Sequence, residues 1–160
     1  MLEPYFQWMN NLAVSRFIGE SIWIYPLVQA IHLLFLALFA GALFIVDLRL
    51  LGWGIREQPV AKLARDARPW LIAGFLGLVV TGIPQLLQNA MREYFSDFFW
   101  MKMTVMPIAL IYTFTLRQWV VSMTDRSRVP PVVSKLTGLA SILLWIGGVA
   151  VPARLIGLFT

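Results

Sequence analysis

Four blocks of mostly apolar residues, at about 22–46, 70–87, 98–121 and 136–159, constrain this 160-residue chain more than any other feature. A membrane-crossing helix needs about 20 such residues. Inside a bilayer every backbone polar group must be satisfied internally, which admits only helices and closed barrels. The composition agrees: 59% of the residues are hydrophobic and 13% charged, against about 25% charged in a soluble domain. So little charge cannot cover a water-facing surface. The expectation is an all-α integral membrane protein, a single domain over 1–160 built as a four-transmembrane-helix antiparallel bundle. Soluble enzymes, nucleic-acid-binding modules and disordered chains are excluded.

The net charge of +5 serves topology rather than nucleic acid. Arg49, Arg56, Lys62, Arg65 and Arg68 lie between the first two blocks. Arg126, Arg128 and Lys135 lie between the last two, with Arg117 just inside a helix end. The other side has only Arg16 and Arg92. By the positive-inside rule the two basic loops are cytoplasmic and both termini face outward, as in a bacterial inner membrane protein. The Met-Leu-Glu-Pro start has no basic n-region, so no cleaved signal peptide is expected.

Residues 2–17 carry Tyr5, Trp8, Met9 and Leu12 at helical spacing, with Asn10, Asn11 and Arg16 on a more polar face. This predicts an amphipathic helix on the outer interface. Val60, Leu63, Ala64 and Ala67 form a stripe that predicts a short surface helix over Arg56–Arg68. Trp53, Trp70, Trp100 and Trp119 sit near block ends as an aromatic belt.

Ionisable groups within a span are costly, and so become functional candidates. His32, Lys102 and Arg154 stand out, all in the outer half. With no Cys and a single His, thiolate and multi-His sites within one chain are excluded. His32 lies roughly 15 Å deep at 1.5 Å per residue. There an imidazole can ligate a metal or haem, relay protons, or form a structural hydrogen bond. Haem suits the position: one His holds the iron, an apolar slot takes the macrocycle, and Lys102 and Arg154 are the cations its propionates need. Gly148, with Gly147, Gly77 and Gly82, lies near the depth of His32 and would open such a slot or allow ordinary close packing. Met106, one turn beyond Lys102, is a candidate second axial ligand, set against the gap-filling use of methionine. Asp47 and Arg49 lie at the opposite end, where anchoring the helix end and pairing with neighbouring charges is the expected role.

The run Tyr25-Pro26-Leu27-Val28-Gln29-Ala30-Ile31-His32, with Gly41 and the Asp47–Gly52 stretch, resembles a bacterial family of four-span proteins classed only as a domain of unknown function. So do Thr81-Gly82, Phe99-Trp100-Met101-Lys102, and Trp145 with Arg154. More distantly the pattern is similar to HemJ-type protoporphyrinogen oxidases and copper-resistance D membrane domains. In the HemJ type a first-span His binds haem and a Lys preceding the third span is required. The resemblance assigns those roles to His32 and Lys102, while the family's further His residues have no counterpart.

The leading expectation is therefore a b-type haem-binding membrane protein with His32 as iron ligand, used for electron transfer or haem-linked redox chemistry. HemJ-like protoporphyrinogen oxidation is the enzymatic alternative. A non-redox structural subunit without cofactor is the other. One His, no Cys and scattered Met make a poor copper site. The expected partners are the lipid bilayer, further copies in a homo-oligomer, and a membrane or outer-side redox protein.

Overall fold

The computed structural model describes residues 2–54, 58–124 and 129–159, with 157–159 described by backbone alone. Arg56, Arg126 and Arg128, counted above among the loop charges, lie outside these. Every regular element among the described residues is helical. Four helices are long and apolar enough to cross a membrane: span 1, Ile24–Leu50; span 2, Val60–Gln88; span 3, Asp97–Thr124; and span 4, from Pro131 through Ile156. One end of the bundle, here the basic end, is where span 1 leads to span 2 and span 3 to span 4. The other is the terminal end.

Spans 1 and 2 form one hairpin, and spans 3 and 4 the other. Bare backbone sets the approach within the first. A Cβ at Gly74 would lie 2.8 Å from the Phe39 nitrogen, and one at Gly77 would run into the Phe35 ring. In the second hairpin Gly148 abuts Val105 in the same way. Without an oil–water contrast between helices, such close approach is what supplies the van der Waals attraction. These glycines therefore pack helix on helix; the wall at Gly148 is occupied by Val105.

The hairpins are clasped at the basic end. The first half of span 4 packs on span 1, and Gln118–Thr124 of span 3 packs on span 2. Gly138 permits this, since its Cβ would sit 2.9 Å from the Asp47 carbonyl oxygen. The main core is confined to this half: Phe39, Leu43, Val46 and Leu50 meet Leu63, Ala64, Ala67, Leu71, Val121 and Trp145. Span 1 has no buried residue before Phe39, and span 2 none after Gly74. At the terminal end a smaller cluster joins Phe6, Ala90, Phe99 and Ile156.

Two expected helices differ. The stripe Val60, Leu63, Ala64 and Ala67 is buried as its spacing implies, but it belongs to span 2, which runs unbroken from Val60. Pro69 removes one backbone donor, too little to break a helix whose flanking turns are buried. The 2–17 segment is two helices, Glu3–Asn10 and Ala13–Glu20, because Leu12 turns to extended backbone between them. Phe6 points into the protein while Tyr5 and Trp8 face out. Ser15 donates to the Leu87 carbonyl at 2.6 Å, tying the second helix to span 2.

Candidate functional site

The terminal half holds the residues singled out from sequence. His32 of span 1 is half-buried, and its Nδ1 lies 2.7 Å from Thr81 Oγ1 of span 2. The Thr81 hydroxyl donates to the Gly77 carbonyl at 2.6 Å, a turn-back bond open to helical threonines. A hydroxyl has one proton. When that proton goes to Gly77, Thr81 accepts from His32, and the tautomer that matches has the hydrogen on Nδ1 and the lone pair on Nε2. The ring rests on bare backbone, since a Cβ at Gly82 would lie 3.6 Å from His32 Cε1.

Lys102, in the second turn of span 3, is near enough to act electrostatically on His32 and on Glu93 in the Ala90–Tyr94 turn. Burial pushes the Glu93 carboxyl above its ordinary range, and Lys102 and Arg92 pull it partly back. Met106 is half-buried on span 3. Arg154 is exposed and makes no hydrogen bond or ion pair among the described residues. His32, Thr81 and Lys102 thus share one neighbourhood, with Arg154 on the surface at the same end.

The second polar constellation lies in the basic half, and sequence reasoning underrated it. Asp47 is fully buried and Arg117 is 3% exposed; Arg117 Nε donates to Asp47 Oδ1 at 2.6 Å. Ser141 donates to Asp47 Oδ2 at 2.6 Å, and Arg117 Nη2 donates to the Leu43 carbonyl at 3.1 Å. Spans 1, 3 and 4 are therefore joined through one carboxylate. Beside it, Trp145 Nε1 donates to Thr113 Oγ1 at 2.9 Å. Both sides of that bond lie in π-helical stretches, Thr113–Arg117 and Leu143–Ala150, a wider winding that recurs at functional positions. Asp47 does pair with a charge, as expected, but across the bundle rather than beside it. The signal was present in the sequence: Asp47 and Arg117 are opposite charges at like depth from the same end of two spans.

The fold is an all-helical bundle with four helices long and apolar enough to cross a membrane, three of them clasped through a buried ion pair. The family model described as "Family of unknown function (DUF6644)" matches residues 5–159, and the chain belongs to that family. No curated protein and no solved structure matches it.

Proposed function

We propose that this protein binds haem b through His32 and uses it for electron transfer or haem-linked redox chemistry. The observation that supports this is the His32–Thr81–Gly77 relay. Iron-ligating histidines commonly donate their other ring N–H to a fixed acceptor, and Thr81 is such an acceptor, leaving Nε2 for the metal. The donor chemistry therefore fits the group. A bound haem supplies one-electron chemistry; the chain's residues hold and tune it. His32 is the ligand, Thr81 fixes its ring, and Lys102 offers a cation to a propionate or to the reduced state. Arg154 would serve a second propionate and Met106 would be a further candidate ligand to the iron, while Gly148 seats span 4 on Val105.

HemJ-like protoporphyrinogen oxidation remains the enzymatic version of this reading. The same hydrogen bond also favours a second reading, in which His32 merely cross-links spans 1 and 2 in a non-redox membrane subunit. The basic connections support, by the positive-inside rule, a reading with both termini outside the cytoplasm. A homo-oligomer and an outer-side redox partner complete the proposal.

The deciding experiment is the absorption spectrum of protein purified from haem-supplied cells. A Soret band is expected in the wild type and in Lys102→Met. It should be lost in His32→Ala and weakened in Thr81→Val. Lys102→Met should lower the midpoint potential, because removing a nearby cation disfavours the electron-rich state. A wild type without haem leaves the cross-linking role, and porphyrinogen turnover separates oxidase from electron carrier. Reporter fusions at Thr160 and in the Arg56–Arg68 stretch test orientation; a cytoplasmic C-terminus overturns it.

A further inference from the structure

Next to the buried ion pair lies a cavity of about 70 Å³, lined by Arg117, Arg68, Thr113 and Gln118 together with apolar side chains including Ala64 and Ala67. Its polar lining is rich in unspent donors. Arg117 has five N–H groups; one goes to Asp47 and one to Leu43, and the rest find no acceptor among the described residues. Thr113 accepts from Trp145, and its own O–H has no acceptor among the described residues. Arg68 makes no ion pair among them either. Asp47 balances Arg117, so Arg68 leaves the lining with one net positive charge.

A partly enclosed pocket with two guanidinium groups against one carboxylate, and with more unspent donors than acceptors, favours an occupant that accepts and is negative. Water matches less well, because it must also place two protons and the Gln118 side chain is the one side-chain acceptor of the described lining left to take them. The volume exceeds the roughly 10–15 Å³ that one water-sized particle needs, so a halide-sized ion has room. We propose that this cavity binds a small inorganic anion of the halide class, held by Arg117, Arg68 and the Thr113 hydroxyl. The site is independent of any haem and lies in the other half of the bundle.

The test follows thermal unfolding of the detergent-solubilised protein by tryptophan fluorescence, with sodium chloride exchanged for sodium gluconate at constant ionic strength. Chloride should raise the midpoint saturably, as ligand binding to the folded state requires. Arg68→Gln, at an exposed position, should raise the half-saturating concentration about tenfold, the loss expected from one charge-assisted hydrogen bond. Ala64→Val, which fills the cavity, should abolish the chloride response. Bromide soaked into crystals should give an anomalous peak between Arg68 and Arg117. Superimposable chloride and gluconate curves, an Arg68→Gln protein that titrates like wild type, or a bromide-free cavity each overturn the proposal.

Discussion

Replacing Asp47 by alanine is the sharpest test of how the bundle is held together. The carboxylate is fully buried and receives bonds of 2.6 Å from both Arg117 and Ser141. Its removal strands Arg117, which is 3% exposed and cannot shed its proton, with only the Leu43 carbonyl as acceptor. Stranding one member of a buried pair costs about 3–5 kcal/mol. The Ser141 hydroxyl adds little, because it can turn back to a carbonyl of its own helix. A domain stable by about 5–15 kcal/mol would lose about a fifth or more of that margin. Removing both charges should cost far less. Asp47→Leu with Arg117→Met should come within about 1–2 kcal/mol of wild type, since apolar replacement of buried ion pairs is often neutral or better. The assay is a double-mutant cycle by detergent or thermal unfolding, with helicity confirming insertion. Two outcomes refute the reasoning. One is a single-mutant loss below about 1 kcal/mol, the value of an exposed pair. The other is a double mutant that costs the sum of the singles, which would mean no coupling.

Gly74→Ala should lose about 1–3 kcal/mol by overpacking, because its Cβ would meet span 1 backbone at 2.8 and 2.9 Å. Gly147→Ala has nothing within 4 Å and should be neutral or stabilising by up to about 1 kcal/mol; the same unfolding assay ranks the two. Glu93 gives a pH signature. Burial raises its folded value above the ordinary 4.5, against the pull of Lys102 and Arg92. The folded state therefore holds more protons than the unfolded one between the ordinary value and its own raised one, and stability falls as pH rises through that window. Glu93→Gln should flatten this slope in unfolding curves at successive pH values; an unchanged slope would reject the assignment.

Hydrophobicity and charge are local properties, and what depends on them was legible in the chain. The four spans, the polarity of their connections and the inward stripe at Val60, Leu63, Ala64 and Ala67 follow from block length and helical period, because a bilayer leaves few alternatives to a helix. His32 and Lys102 were conspicuous for the same reason, as polar groups where none is cheap. What depends on which helix stands beside which was not legible. Periodicity does not reveal that Asp47 meets Arg117 and Ser141 from two other spans, that His32 meets Thr81, or that Gly148 is filled by Val105. Nor did composition place the core in one half of the bundle. Each is a contact between residues tens of positions apart, fixed by helix approach at a few glycines and by the need to satisfy a buried charge. Those demands are met only once all four helices are in place.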